Sequence, residues 1–310
     1  MTAESPPHKQ CIAEIFDSNK PLVNSKLAYL SDLTGEGLDF LKEVWTKAHA
    51  ERRRQVISHL VHLSEADLRL DFSSTFVFGL GDPDEAVRTQ AIAGLEPEEN
   101  HRFIRPLLRA LKQDTSTEVR AAAAIALGRF ALLGELDRLS TYHTDKVYTA
   151  LLEVLDNEAE PVEVKRRALE AIAPLSLPRV KESIQRIYHS NDVKLKASAV
   201  YAMGRNCDTA WLTVLLTELT SPEAEMRYEA ANACGELGAD EAVPHLIMLT
   251  KDEDGQIQEA AIKALGEIGG DEAKQTLSEL AEDPEPGGRQ AARSALKELH
   301  FWEDPLPSKP

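Results

Sequence analysis

From Val119 to Gly128 the chain reads Val-Arg-Ala-Ala-Ala-Ala-Ile-Ala-Leu-Gly, which predicts a short helix with one narrow apolar stripe. Positions 0, 4, 7, 8 and 11 counted from the valine fall on one side of a helix of 3.6-residue period. The pattern recurs at seven anchors, Val87, Val119, Val164, Leu195, Met226, Ile257 and Gly288, spaced by 32, 45, 31, 31, 31 and 31 residues. Four residues after every anchor stands an alanine, and seven after stands Gly94 or again an alanine. The eighth position holds Leu95, Leu127, Ile172, Met203, Cys234, Leu265 or Leu296. Small residues on the stripe let a second helix approach closely.

Between these segments the pattern predicts a companion helix per unit, over 102–111, 147–155, 180–188, 211–219, 242–249 and 273–280. Repetition on this scale describes a solenoid, which lengthens by stacking units rather than splitting into domains. The reading is an all-α superhelix of helical hairpins over residues 66–299. A degenerate helical cap covers 10–65, with helices near 38–48 and 51–63, and polar tails cover 1–9 and 300–310. The single 45-residue spacing locates an insertion near 131–145, expected as an extra helix or a projecting loop. Arg293 stands where six units have an apolar neighbour contact, so the stack is expected to end at the seventh unit, with Phe301 and Trp302 folding back over it.

Polar residues keep the same register. One step after the anchor come Arg88, Arg120, Lys165, Lys196, Arg227, Gln258 and Arg289. Six residues before this slot stand Asp82, Asp114, Ser190, Ser221, Asp252 and Asp283, with Ala159 the exception. Asp and Ser are read there as N-caps, because their oxygens accept from the free N–H groups of a helix start. Gly128, Gly204, Gly235 and Gly266 are read as helix ends.

Composition narrows the function classes. The net charge is −17, and 218–310 alone holds 8 Lys and Arg against 21 Asp and Glu, leaving −4 for the rest. Sequence-independent binding to nucleic acid needs clustered cations, so no nucleic-acid partner is expected. The acidic third suits a partner protein with a basic surface. Cys11, Cys207 and Cys234 form no CxxC and no even framework, which points to a reducing compartment and free thiols. No apolar run approaches the ~18 residues of a membrane span, and the N-terminus lacks a signal core, so a cytoplasmic location is expected.

Paired helices with Asp and Arg six apart, followed by V-R-x-x-A-x-x-A-L-G, resemble HEAT repeats. The 31-residue form resembles the subtype of the phycobilisome lyases. The resemblance implies that the anchor helices line a concave face. It also implies that Asp82, Arg88, Asp114, Arg120, Asp283 and Arg289 belong to a structural ladder between units. Because such repeats serve scaffolds, lyase subunits and enzymes alike, fold does not decide function.

No catalytic set stands out. Iron-binding enzymes of this architecture use His-Glu pairs, and none of the nine histidines here is followed by Glu. His59 and His62 share a helix face but read as surface residues of the cap. No P-loop, GxSxG or GxGxxG follows a strand-like run, and no cofactor or metal is expected. The concave slots two, six and ten residues after each anchor carry Ile125, Arg129, Arg166, Tyr201, Arg205, Tyr228 and Asn232 in the central units. Arg and Tyr are enriched at binding hot spots. These seven residues are the candidate partner-binding surface of a non-enzymatic scaffold. The alternative, implied by the repeat subtype, is a bilin lyase-like or chromophore-handling subunit. The sequence carries no indication of oligomeric state.

Overall fold

The computed structural model describes residues 7–97, 99–282 and 286–303, and all regular structure among them is helical. The chain divides into two compact units, Met1–Ala171 and Ile172–Pro310. The N-terminal unit contains α1 (Pro7–Phe16), α2 (Asn24–Leu27), α3 (Gly35–Lys47), α4 (Ala50–Ala66), α5 (Ser73–Gly79), α6 (Glu85–Leu95), α7 (Ile104–Gln113), α8 (Thr117–Glu135), α9 (Thr141–Asp156) and α10 (Val162–Ile172), whose last residue reaches the boundary. The C-terminal unit contains α11 (Pro178–Tyr188), α12 (Val193–Asn206), α13 (Leu212–Glu218), α14 (Ala224–Leu237), α15 (Val243–Leu249), α16 (Gly255–Ile268), α17 (Asp271–Ala281) and α18 (Pro286–Glu303).

The expected polar tail at 1–9 is shorter than read, because residues 7–9 already belong to α1; residues 1–6 lie outside the described residues. Ile12, Ile15 and Phe16 of α1 are buried. Arg52 of α4 ties down the end of that helix, donating from Nε to the Ile15 carbonyl (2.6 Å) and from Nη2 to the Lys20 carbonyl (3.0 Å).

Six of the seven anchor residues are buried and the last, Gly288, is half-buried; the alanines four positions on, from Ala91 to Ala292, are all buried. In the C-terminal unit α12, α14, α16 and α18 lie side by side through this stripe, while α15 and α17 touch far less. Helices that approach closely on one side and splay on the other curve a stack toward the close side. The glycines read as helix ends are instead interior to their helices, at the points of closest approach. A Cβ on Gly204 would lie 2.6 Å from Ala233 Cα, on Gly235 2.9 Å from Ala264 Cα, and on Gly266 2.8 Å from Ala295 Cβ. The same slot in the N-terminal unit, Gly128, would meet Ala171 Cβ at 3.0 Å.

In the C-terminal unit the stops come three residues later, at Cys207, Gly238 and Gly269, all with positive φ. Cys207 holds φ +52 without being glycine, a conformation costing a β-carbon-bearing residue roughly 1–2 kcal/mol. We expect Cys207→Gly to stabilise the C-terminal unit by about 0.5–1 kcal/mol, the gain being reduced by the entropy of an unfolded glycine. Urea unfolding measures it, and a loss of stability would show that the thiol's contact with the Gly204 carbonyl (3.4 Å) outweighs the strain.

The acidic slot also changes role. The N-caps are Asp84, Ser116, Asp192 and Asp254, two residues beyond the expected Asp82, Asp114, Ser190 and Asp252; each accepts backbone N–H from its helix's first turn. Asp82, Asp114 and Asp252 instead receive the N–H of residues 84, 116 and 254 (2.9, 2.9 and 3.0 Å) and fasten the preceding unit. Arg88 shows the linkage: Nη1 donates to the Asp82 carbonyl (2.9 Å), while Nε and Nη2 grip the Asp114 carboxylate at 2.8 Å each. Arg227 repeats it between the Ser221 carbonyl (2.9 Å) and the Asp252 carboxylate (2.8 and 3.0 Å), and its guanidinium holds the Asp252 carboxyl below the usual carboxylate range.

Where Ala159 breaks the sequence pattern, Glu160 takes the role. Arg120 reaches it from Nε at 2.9 Å and donates from Nη1 to the Asp114 carbonyl at 2.8 Å. The ladder begins earlier than expected, since Asp82 also accepts from Arg53 (2.7 and 3.0 Å) and from the Trp45 indole (2.6 Å). Asp283 lies outside the described residues, and Arg289 sits half-buried on α18.

The insertion near 131–145 forms neither an extra helix nor a projecting loop. Residues 131–135 continue α8, 136–140 turn, and 141–145 begin α9. Gly134 lets α9 close in, as a Cβ there would lie 2.6 Å from Thr144 Cγ2. The Tyr148 hydroxyl donates to the Ala131 carbonyl at 3.1 Å, and burial pushes its phenol up to about 12. At the other end, α18 runs through His300 to Glu303, so the tail expected from 300 starts later. Phe301 is 60% exposed and does not fold over the end; the Trp302 side chain and residues 304–310 lie outside the described residues. Arg293 is exposed and donates from Nε to the Ala281 carbonyl at 3.2 Å.

Candidate functional site

In the N-terminal unit Ile125 and Arg129 stand on the exposed face of α8; the helix continues past Gly128 to add Leu132, and Leu136, which caps its C-terminal end, follows on the same face. The spacing i, i+4, i+7, i+11 aligns the four along one stripe. Ile125 is 39%, Leu132 41% and Leu136 55% exposed. Glu99 borders the stripe, receiving Arg129 Nη2 at 2.5 Å and Arg138 Nη2 at 2.9 Å. One carboxylate thus engages two guanidiniums beside three leucine-sized apolar side chains. Neighbouring α10 carries Arg166, half-buried and 3.2 Å from Glu163, while Arg167 bridges Glu163 and Glu170 at 2.8 Å each. Arg166 is therefore committed to its own helix more than the sequence suggests.

In the C-terminal unit Tyr228 is 38% exposed on α14. Asn232 donates from Nδ2 to the Tyr228 carbonyl at 3.1 Å, one turn back on the same helix. Arg205 of α12 is exposed and meets Glu236 of α14 at 3.4 Å, and Tyr201 is half-buried. The four predicted residues here form a mixed polar and aromatic surface. Leu132 and Leu136 were not candidates, because Gly128 reads as a stop signal in isolation. An apolar residue at every third or fourth position beyond it was the available clue.

The remaining chemistry is sparse. His59 Nδ1 lies 2.8 Å from the Gln55 carbonyl, His62 stands 3.7 Å from Glu65, and no group of three or more His, Cys, Asp or Glu could hold a metal ion among the described residues. Burial in the core pushes the Cys234 thiol up to about 12, so it is packing material, while Cys207 is exposed. No helix among the described residues is long and apolar enough to cross a membrane.

Stacked helical hairpins linked by an Arg–carboxylate ladder define an α-helical repeat protein. Family comparison is specific: HEAT repeats match residues 75–149 and 212–297, more than half of the chain. The chain belongs to the HEAT-repeat family. No curated protein matches the sequence. Among solved structures, the complex of CpcE and CpcF of phycocyanin lyase from Nostoc sp. PCC7120 is 16% identical with a TM-score of 0.54, over 90% of this chain and 97% of that one. The Kap95p–RanGDP complex is 12% identical with a TM-score of 0.57, over 96% of this chain and 46% of that one. At these identities the likeness is one of fold.

Proposed function

We propose that this protein is a non-enzymatic scaffold that binds another protein through the inner faces of its anchor helices. The observation that carries the reading is the exposed Ile125–Leu132–Leu136 stripe on a rigidly backed helix. Monomeric surfaces scatter such residues singly, and aligned ones mark binding sites. Burying the exposed part of each against a partner contributes on the order of 1 kcal/mol. In the C-terminal unit Tyr201, Arg205, Tyr228 and Asn232 offer a second, more polar surface. The acidic field of 218–310 favours a basic partner and gives an association rate that falls with salt.

Partner capture from the native source, with mass spectrometry to identify it, tests the reading. We expect Leu132→Glu with Leu136→Glu to weaken binding of the captured protein at least about tenfold, with melting unchanged. Tyr201→Ala, Arg205→Ala and Tyr228→Ala together should do the same for the C-terminal surface. Equal capture by both variants would overturn the site. The second reading, a chromophore-handling subunit, is supported by the fold it shares with the phycocyanin lyase structure. It calls for binding of a linear tetrapyrrole, read as a shifted visible absorption band on addition to the purified protein.

A further inference from the structure

Helix α7 departs from the acidic character of the chain. Between Asn100 and Gln113 the sequence holds Arg102, Arg105, Arg109 and Lys112 and no Asp or Glu, within a protein of net charge −17. All four cations are exposed, and their spacing sets them along the outward side of the helix. Lys112 meets Glu153 of α9 at 2.6 Å. Among the described residues, no carboxylate reaches Arg102, Arg105 or Arg109 within ion-pair distance.

The start of α9 continues this surface. His101 and His143 stack with centroids 4.9 Å apart and planes 18° off parallel. Tyr142 stands edge-on to His143 at 5.2 Å and is 64% exposed, with the Lys146 ammonium 4.1 Å from its ring centroid. A hydrogen bond from Lys146, with a smaller pull from Arg105, holds the Tyr142 phenol below its usual range. The exposed acids of α9 are Asp145, Glu153 and Asp156, and Glu153 is already engaged. Clustered like charge opposes folding, and among the described residues these five Arg and Lys side chains make one ion pair, that of Lys112 with Glu153. An exposed tyrosine among arginines is the side-chain mixture of an interface centre.

We propose that the outward face of α7 and the first turns of α9 form a docking surface for a short acidic segment of a partner protein. This surface lies on companion helices, apart from the anchor-helix stripe of Leu132 and Leu136, and does not rest on that reading. Charge complementarity selects the occupant. Arg102 to Lys112 spans about 15 Å at 1.5 Å per residue, which four or five extended residues cover at about 3.3 Å each. A segment of that length stays over the basic face, and charges farther than the Debye length of ~8 Å are screened at physiological salt. A long polyanion such as duplex DNA would run on over the acidic remainder and be repelled.

The test uses the full chain and fluorescein-labelled hexaglutamate, with a Gly-Ser hexamer as the neutral control, titrated by anisotropy at low and physiological salt. Hexaglutamate is expected to bind, with affinity falling as salt rises, and the control is not. Arg105→Glu with Lys146→Glu should weaken hexaglutamate at least about tenfold while the melting temperature holds, both side chains being exposed. Charge reversal of Lys251 and Lys263, both exposed and in the other unit, should leave it unchanged. Hexaglutamate binding that is absent, or undiminished in the α7–α9 variant, overturns the proposal. Tighter binding of a duplex oligonucleotide than of hexaglutamate overturns it too.

Discussion

Replacing Asp82 by alanine is expected to destabilise the N-terminal unit by about 3–5 kcal/mol, the range for breaking one side of a buried ion pair. The carboxylate is buried and accepts four hydrogen bonds, from Trp45 Nε1, Arg53 Nε and Nη2, and the Asp84 N–H. Alanine leaves Arg53 charged, buried and without its counter-ion, and removes the acceptor that orients the Trp45 indole. The loop entering α6 also loses the turn that presents its cap, Asp84. Urea unfolding followed through Trp45, with Trp211 and Trp302 replaced by phenylalanine, measures the loss. For a unit of this size it corresponds to a melting shift of roughly 10 °C. The contrast is Arg54→Ala, which removes a half-exposed partner of Asp84 and should leave melting nearly unchanged, because water screens an exposed pair. A loss below about 1 kcal/mol for Asp82→Ala would mean that the ladder's first rung contributes specificity without stability.

Gly204→Val is expected to cost about 2–3 kcal/mol, the upper range of overpacking a well-filled interior. The added Cβ would sit 2.6 Å from the Ala233 Cα and 2.8 Å from its Cβ. Because the obstacle is backbone, no rotamer change relieves it, and α12 and α14 must separate along their seam. The helix propensity gained over glycine, about 0.5 kcal/mol, offsets only a fraction. Gly255 is the control: a Cβ there meets nothing within 4 Å, and Gly255→Ala should fall within about 0.5 kcal/mol of the parent. Calorimetry of the full chain compares the two, and equal melting of both variants would sink the close-approach account of the interior glycines.

The repeat register was legible because a period repeated seven times cannot be mistaken for local accident. Val119, Ala123 and Leu127 are all buried, each at the position its spacing assigns. Caps and stops were harder to place. Asp82 and Asp84 are both acids just before α6, and either could accept from its first turn. Only the arrival of Arg53 and Trp45 from earlier helices decides which of the two turns inward. Gly128 and Gly204 carry the composition of a helix end but serve as gaps for a neighbouring backbone. The next alanine to fill that gap lies about thirty residues or more along the chain, beyond the reach of any local pattern.

Periodicity and cap chemistry, which act within a turn or two, therefore settle that this chain makes stacked helical hairpins and which side of each helix is buried. Packing between units settles the rest. It pairs Arg120 with Glu160 where Ala159 breaks the pattern, divides residues 131–145 between the end of α8, a turn and the start of α9, and carries α8 past Gly128 so that Leu132 and the capping Leu136 join Ile125. Those outcomes depend on side chains 30 or 40 residues apart meeting in a shared interior. Their free energy exists only once neighbouring units have stacked.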